Sequence, residues 1–280
     1  MSEFVKRTLS GTVFVGCIVA CVLSHFWALA GFMLAVCVFA VDEFHRLVQS
    51  PRSLRIYAAL SSILLWSVAA YHTYPWMPAL ALAYLALLIV CMLDEIWNLS
   101  GQPLQNWGNM LISQIMIAMP LCTLLLLESL DKWLLLALFV LIWVNDTGAY
   151  CVGTLTAKRA QGNHKMTPHI SPKKSWEGLI GGVVFCLTAS FVLARCGWFD
   201  TISANEHETV VALIFAVLTS LFGTMGDLME SLFKRSIGVK DSGHFMPGHG
   251  GILDRFDSIL LAGPVLTAFC WLCYFIAPLL

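Results

Sequence analysis

The sequence predicts an all-α polytopic integral membrane protein, and composition is the first reason. Hydrophobic residues make up 59% of the 280 residues and charged residues only 12%. The mean hydropathy is +0.80, which is typical of membrane proteins rather than soluble domains. Apolar stretches approaching the roughly 20 residues of a membrane-spanning helix recur along the whole chain. No internal repeat or linker marks a second domain, so we expect a single membrane domain.

Hydropathy divides the chain into nine candidate spans. The first two are short and are separated only by Ser24 and His25, which we interpret as the turn of a tight helical hairpin. A single long tilted helix is the competing interpretation, and it would reverse the orientation of every later span. The nine spans cover residues 11–23, 26–42, 57–71, 77–94, 108–127, 132–151, 177–196, 209–231 and 257–277.

The basic residues favour the nine-span interpretation, because positive charge accumulates on the cytoplasmic side of short loops. With the N-terminus inside, every lysine and arginine except Lys132 and Arg195 falls on the inner side. Merging the first two spans scatters these charges over both sides of the membrane. We therefore expect a cytoplasmic N-terminus and a C-terminus on the outer side.

A first polar cluster lies at the inner end of the sixth span, where Asn145 and Asp146 interrupt an apolar run. An acid at the bilayer centre costs roughly 2.5–3.5 kcal/mol on insertion scales, so Asp146 is expected near the interface or in a polar cavity. A helix-end residue in the headgroup region is the alternative, and it stays open.

A second cluster, Ser171–Gly178, precedes the seventh span. Ser175 is a good N-cap for the helix that follows. Lys173 and Lys174 stand beside the unpaired amides of that helix start, an arrangement that favours phosphate. Juxtamembrane lysines also set topology or contact anionic headgroups, which is the plainer interpretation. Gly178 and Gly182 form a GxxxG pattern typical of helix packing.

The third cluster runs from Gly226 to Ser258. On a helix, Asp227, Glu230, Ser231 and Lys234 share one face with Gly223. At the start of the ninth span, the i, i+3 spacing of Asp254 and Asp257 predicts a shared helix face, with Arg255 between them. If the ends of the two spans meet, Asp227 and Asp254 can converge on one cation, and carboxylates prefer hard ions such as Mg²⁺.

The same stretch contains groups suited to phosphate. Lys234, Arg235, Lys240 and Arg255 can neutralise its charge, while Gly250 and Gly251 permit close approach of the backbone. His244 and His249 are the titratable candidates, although a loop histidine is more often a hydrogen-bonding or interfacial residue. Interfacial charges that merely anchor helices are the competing interpretation of the whole cluster.

These residues resemble the signature of the phosphatidate cytidylyltransferase family, also called CDP-diacylglycerol synthases. The close match covers residues 143–258, with Ser175 standing where threonine is usual, and the first 140 residues match only in hydropathy. The residues that match the fixed positions of the signature are Ser231, Lys234, Arg235, Lys240, Asp241, Pro247, Gly248, His249, Gly250, Gly251, Asp254, Arg255 and Asp257.

The resemblance implies that CTP and phosphatidic acid react to give CDP-diacylglycerol and pyrophosphate, with Mg²⁺ required. It also implies a metal centre on Asp227 and Asp254, K⁺ as a second cation, and a homodimer. No nucleic acid partner is expected. The absence of a transit-like N-terminus favours a bacterial inner membrane, with the active site facing the cytoplasm.

Taken together, residues and resemblance predict a scaffold in residues 1–142, which can hold an oligomer interface, and a catalytic region in 143–280 with cytoplasmic loops at 152–176 and 232–256. The predicted site residues fall into three groups. The catalytic group is Asp227, Asp254, Lys240, Arg255 and Asp257. The phosphate-binding group is Lys173, Lys174, Ser231, Lys234, Arg235, His249, Gly250 and Gly251. The group for the nucleotide or a second metal is Asn145, Asp146, Glu230 and Asp241.

Two other functions stay open on sequence alone. A CTP-dependent polyprenol kinase would transfer the γ-phosphate and release CDP instead of pyrophosphate. A cation or proton transporter would use Asp146, Asp227 and Glu230 as an intramembrane relay, but it would not need a basic loop. A purely structural scaffold has no use for the loop of glycine, histidine and aspartate.

Overall fold

The protein is largely helical. A computed structural model describes residues 3–98, 101–158, 162–203, 207–243 and 250–276, with side chains from Ser10 onward except that of Asn98. The helices are α1 (Glu3–Leu23), α2 (Phe26–Leu47), α3 (Arg52–Ala70), α4 (Met77–Asn98), α5 (Pro103–Ser113), α6 (Met119–Leu130), α7 (Lys132–Ala157), α8 (Trp176–Arg195), α9 (Glu208–Ser236), α10 (Leu253–Phe256) and α11 (Ile259–Ile276). A π-helical turn (Gln114–Ala118) joins α5 to α6, and a 3₁₀ turn (Asp200–Ile202) precedes α9.

The predicted polytopic membrane architecture is confirmed. Within the described ranges, eight helical stretches are long and apolar enough to cross a membrane. A shorter apolar helix, Ser10–Leu23, corresponds to the first predicted span. The eight stretches are Phe26–Leu47, Arg52–Ala70, Met77–Trp97, Pro103–Leu130, Lys132–Ala157, Trp176–Arg195, Glu208–Ser236 and Leu253–Ile276.

Several helices are longer than the spans that hydropathy predicted. The predicted break at Ser24 and His25 is confirmed, since α1 ends at Leu23 and α2 begins at Phe26. However, α2, α7 and α9 continue past the predicted ends at residues 42, 151 and 231. Hydropathy marks only the apolar part of a helix, whereas each added residue gains a backbone hydrogen bond whether its side chain is polar or not.

A small β-hairpin lies between α7 and α8, where hydropathy predicted only a loop. Its strands β1 (Lys165–Thr167) and β2 (Ser171–Ser175) are antiparallel, with Lys165 opposite Ser175 and Thr167 opposite Ser171. The hairpin carries Lys173 and Lys174 on β2. It therefore gives the second polar cluster a defined backbone conformation at the start of α8.

The described residues form two compact units. The first comprises residues 1–126 and 239–256. Its interior includes a buried polar network at the π-helical turn. His45 bonds Ser50 Oγ at 2.8 Å and Ser113 Oγ at 3.0 Å, and Gln114 Nε2 donates to Ser62 Oγ at 3.2 Å. Buried polar groups of this kind need partners, so the network links α2, α3 and the α5–α6 run.

The second unit comprises residues 127–238 and 257–280. Its helices α7 and α8 pack closely through glycines, as the GxxxG pattern predicted. A Cβ atom on Gly178 would lie 3.1 Å from the carbonyl oxygen of Ala149, and one on Gly182 would overlap Asn145 Oδ1. Small residues permit this backbone approach in membranes. The position of Asn145 thus depends on Gly182.

The prediction that Asp254 and Asp257 share one helix face is wrong. Helix α10 ends at Phe256 and α11 begins at Ile259, so no continuous helix carries both aspartates. The Asp257 side chain accepts a hydrogen bond from the Ser258 amide at 2.6 Å. Such local bonds from aspartate to the backbone compete with helical hydrogen bonding and favour a turn or cap.

Candidate functional site

A polar cavity of about 260 Å³ lies in the second unit. It contains residues from all three clusters that the sequence singled out, with Asp227 and Ser258 coming from the third. The residues that line it are Asn145, Asp146, Ala149, Tyr150, Met166, Lys173, Lys174, Ser175, Gly178, Leu179, Thr224, Asp227 and Ser258. Helices α7, α8, α9 and strand β2 all contribute to its wall.

An ion pair joins two sides of this cavity. The Nζ atom of Lys174 lies 2.7 Å from Asp227 Oδ2 and donates to the carbonyl oxygen of Thr224 at 3.2 Å. Ser231 donates to Asp227 Oδ1 at 3.3 Å, one helical turn further along α9. Both oxygens of the Asp227 carboxylate therefore have partners. The ammonium group of Lys174 therefore lies at the cavity, where it can pair with the Asp227 carboxylate or with an anion that enters.

Local sequence explains why the two lysines are presented at this point. The Ser175 side chain accepts a hydrogen bond from the Gly178 amide at 3.1 Å, which confirms the predicted N-cap of α8. Glu177 accepts bonds from the His164 amide at 3.0 and 3.1 Å and contacts His164 Nδ1 at 2.7 Å. These bonds fasten the base of the hairpin to the first turn of α8.

The tip of the hairpin is attached to α9. Arg235 Nε donates to the carbonyl oxygen of Ile170 at 3.4 Å, between the two strands. The guanidinium group of Arg235, which the sequence assigned to phosphate binding, is thus placed at the hairpin tip. In this structure the residue is exposed and holds the backbone of the segment that carries the lysines.

Asn145 and Asp146 both line the cavity from α7. Asn145 is buried, and its Oδ1 accepts a bond from Ser220 Oγ at 2.5 Å. Asp257 interacts electrostatically with Asp227, Asp146 and Lys174, so these three acids lie near one another and near one lysine. Asp146 consequently has a polar cavity beside it, which is one of the two environments that the sequence allowed.

Buried Glu230 and half-buried Lys234 form an ion pair on α9, with 2.6 Å between Lys234 Nζ and Glu230 Oε2. Neither belongs to the lining of the cavity in the described part of the unit. The i, i+4 spacing that placed them on one face is therefore used for mutual neutralisation. Their predicted roles toward nucleotide, metal and phosphate stay predictions.

The remaining predicted residues belong to the first unit. Asp254 Oδ2 accepts bonds from the amides of Ser242 and Gly251 at 2.9 and 2.8 Å. Lys240 and Asp241 are exposed. The Nε atom of Arg255 is buried and has no hydrogen-bond partner among the described residues. His244 and His249 lie outside the described residues.

Gly250 and Gly251 have structural reasons to be glycine. Gly250 has a φ of +83°, a backbone conformation that side chains disfavour. A Cβ atom on Gly251 would overlap the carboxylate of Glu43 and the hydroxyl of Ser242. The sequence attributed both glycines to close approach of the backbone to phosphate. Close approach is observed, but at Gly251 the approaching group is Glu43.

Glu43 is the residue that sequence reasoning missed. It lies near the end of α2, and its carboxylate accepts bonds from Ser242 Oγ, Ile252 N and Leu253 N at 2.5, 3.0 and 3.1 Å. Glu43 and Ser242 also line a second cavity of about 480 Å³ in this unit. The available signal was the acid pair Asp42–Glu43 at the end of an apolar helix.

The cavity of the second unit has the chemistry of a hard-cation site. Its lining includes the carboxylates of Asp146 and Asp227, the amide of Asn145 and the hydroxyl of Ser258, and Mg²⁺ prefers oxygen ligands of these kinds. Among the described residues, no group of three or more histidine, cysteine, aspartate or glutamate side chains converges closely enough to hold a metal by itself. Such a site suits Mg²⁺, which usually keeps waters and substrate phosphate oxygens in its shell.

The fold and the site define a class of protein: a polytopic membrane protein in which lysines from a β-strand and carboxylates from two helices line one cavity. The model of the cytidylyltransferase family matches residues 5–273. The chain therefore belongs to the cytidylyltransferase family, and the resemblance found in the sequence is confirmed.

Curated relatives agree with this assignment. The phosphatidate cytidylyltransferase of Rickettsia felis is 36% identical over 196 residues, which cover 68% of this chain and 82% of that protein. That of Haemophilus influenzae is 42% identical over 137 residues, 49% of this chain and 45% of its own length. That of Staphylococcus haemolyticus is 45% identical over 129 residues, 46% of this chain and 45% of its own length. The chain spans less than half the length of these last two relatives.

Proposed function

We propose that this protein is a phosphatidate cytidylyltransferase, which converts CTP and phosphatidate to CDP-diacylglycerol and pyrophosphate. The observation that carries the proposal is the cavity that Lys173 and Lys174 of β2 line together with Asp146 of α7 and Asp227 of α9. Cations suit the phosphates of a nucleotide and a lipid, and carboxylates suit the metal ion that accompanies a nucleoside triphosphate. The relatives, which are phosphatidate cytidylyltransferases, support the same reaction.

In this reaction, an oxygen of the phosphatidate phosphate forms a bond to the α-phosphorus of CTP. The bond from that phosphorus to the bridging oxygen of the β-phosphate breaks, and pyrophosphate leaves with the electron pair. The lipid phosphate is already a competent nucleophile, so no covalent enzyme intermediate is required. Catalysis then rests on positioning and on neutralising charge, as in other phosphoryl transfers.

The lysines are proposed to hold phosphate groups in this geometry. Lys174 already pairs with Asp227, so an arriving phosphate competes for its ammonium group. Lys173 also lines the cavity and supplies a second positive charge. The buried Arg255 Nε, which has no partner among the described residues, is a donor suited to a phosphate oxygen.

We propose Mg²⁺ as the cofactor, with Asp227 and Asp254 as its protein ligands. The ion would polarise phosphoryl oxygens and neutralise the charge of departing pyrophosphate. K⁺ is proposed as a second cation on the resemblance alone. Loading the purified protein with Mg²⁺ or K⁺ and measuring binding by calorimetry, for wild type and for Asp227→Asn, tests each ion separately.

The setting of the reaction is part of the proposal. Phosphatidate keeps its acyl chains in the bilayer, so the site needs access to lipid near one membrane surface. We propose the bacterial inner membrane, a site facing the cytoplasm and a homodimer. Labelling of single cysteines introduced at Lys158 or Thr201 from either side of the membrane tests the orientation, and the mass of the detergent-solubilised particle tests the dimer.

The activity itself has a simple test. Purified protein with CTP, phosphatidate and Mg²⁺ should release pyrophosphate, and omitting the lipid should stop the release. The proposal would be contradicted if the complete mixture released no pyrophosphate while a thermal unfolding transition showed that the protein was folded.

A further inference from the structure

We propose that Glu43 is a positioning residue that orients Asp254 through the stems of the signature loop, defined here as residues 242–253. The inference rests on the proposed function, because Asp254 is a proposed site residue. Glu43 lies on α2, remote in sequence from the signature, and no motif pointed to it. Its carboxylate nevertheless bonds both ends of the loop: Ser242 at one stem, Ile252 and Leu253 at the other.

The contacts run from Glu43 to Asp254 through Ser242. The Ser242 hydroxyl donates to Glu43 Oε1 at 2.5 Å and lies 3.0 Å from Asp254 Oδ2. A hydroxyl group has one proton, and the shorter contact assigns it to Glu43. The Ser242 amide then donates to Asp254 Oδ2 at 2.9 Å. Glu43 therefore holds Ser242 in place, and the Ser242 amide in turn holds the Asp254 carboxylate.

The other stem follows the same pattern. Glu43 accepts bonds from the amides of Ile252 and Leu253, and the amide of Gly251 donates to Asp254 Oδ2 at 2.8 Å. Consecutive amides of one short segment thus divide between the two carboxylates. Loss of the Glu43 carboxylate would leave the amides of Ile252 and Leu253 without this acceptor. The segment that supports Asp254 would then be less restrained.

The glycines beside Glu43 are a separate observation for the same arrangement. A Cβ atom on Gly243 would lie 2.8 Å from Glu43 Oε2, and a Cβ atom on Gly251 would overlap Glu43 Oε1. Glycine at both positions leaves room for the carboxylate between the stems. The described stems of the loop therefore enclose this side chain, which indicates a role for its precise position.

Glu43→Gln is the appropriate variant, because glutamine has the same size but keeps only one oxygen acceptor. Its NH₂ group would face a backbone N–H that now has no acceptor. Asp42→Asn is the matched control: Asp42 is the neighbouring acid on α2, and its ion pairs go to Arg46 and Arg55. The readouts are hydrogen exchange of the peptide containing Gly251–Leu253, and the Mg²⁺ concentration that gives half-maximal pyrophosphate release.

In Glu43→Gln, we expect faster exchange of these amides and a half-activating Mg²⁺ concentration raised about 10- to 100-fold, the usual effect of losing a partner that orients a metal ligand. Asp42→Asn should leave both unchanged. A merely structural role would reduce the folded fraction without moving the Mg²⁺ midpoint. Wild-type exchange or a wild-type midpoint in Glu43→Gln would overturn the inference.

The design separates this inference from the proposed function. If the wild type releases no pyrophosphate, the proposed function fails, and exchange alone decides the positioning role: unchanged protection in Glu43→Gln overturns it, and lost protection supports it. Ser242→Ala provides a second check. Because the two substitutions share only the Ser242 hydroxyl bond, the increase in amide exchange in the double variant with Glu43→Gln should be smaller than the sum of the two single increases. Fully additive increases would contradict a path through Ser242.

Discussion

Lys174 and Asp227 form an ion pair across the cavity of the second unit, with 2.7 Å between Nζ and Oδ2. Lys174 comes from strand β2 and Asp227 from helix α9, so the pair joins two stretches that the sequence singled out independently. It also places a cation directly beside a carboxylate proposed to bind metal.

Lys174→Met should lower kcat by about 10²- to 10³-fold, the usual loss when a group that stabilises transition-state charge is removed. Methionine is an unbranched side chain of nearly the same length, but it has no charge to neutralise phosphate. Lys158→Met, at an exposed position just after α7, is the control and should keep wild-type kcat. Steady-state release of pyrophosphate measures both, and equal rates in the two variants would remove Lys174 from the site.

Asp227→Asn should lower activity by more than about 100-fold, and excess Mg²⁺ should not restore it. The amide keeps the shape of the side chain but loses the charge that holds a divalent ion. Chelation of the wild type with EDTA should abolish activity, and added Mg²⁺ should restore it. Activity that survives chelation would refute the proposed cofactor.

Gly182→Ala should destabilise the second unit, because the added methyl group would overlap Asn145 Oδ1 and lie 3.1 Å from the Asn145 carbonyl oxygen. Overpacking of this kind costs about 1–3 kcal/mol. Gly108→Ala is the matched control, since a Cβ atom there meets nothing within 4 Å. Thermal unfolding in detergent should show a lower Tm for Gly182→Ala only. An unchanged Tm would mean that α7 and α8 are not packed as described.

Ser175→Ala should remove the N-cap of α8 and cost about 1 kcal/mol of stability. Ser175→Thr keeps a hydroxyl that can accept from the Gly178 amide, so it should stay close to wild type. Thermal unfolding distinguishes the two variants. A threonine variant as unstable as the alanine variant would show that the cap is not the source of the effect.

Local features of the fold could be predicted from the sequence because short-range chemistry determines them. The break at Ser24 and His25, the cap at Ser175 and the glycine packing of α8 follow from polar interruptions, capping preference and small-residue spacing. The two-stranded hairpin was not predicted, since its strands are short and without clear alternation. The break after Phe256 was not predicted because the i, i+3 spacing of aspartates does not reveal that Asp257 bonds the next amide.

Long-range features of the site required the structure. The family signature drew attention to Asp254, but Ser242 bonds Glu43 across 199 positions of sequence. From sequence alone, an acid at the end of an apolar helix, such as Glu43, is usually interpreted as an interfacial residue. Conversely, the charge pattern of α9 suggested ligands at Glu230 and Lys234, whereas the ion pair they form could be known only from their packing.

The most direct test of the central claim uses CTP labelled separately at the α- and γ-phosphates, with phosphatidate as acceptor. A phosphatidate cytidylyltransferase transfers the α-label to the lipid product and releases the γ-label as pyrophosphate, and this is the result we predict. Transfer of the γ-label to a lipid, with CDP as the by-product, would contradict the proposed reaction and indicate a CTP-dependent lipid kinase.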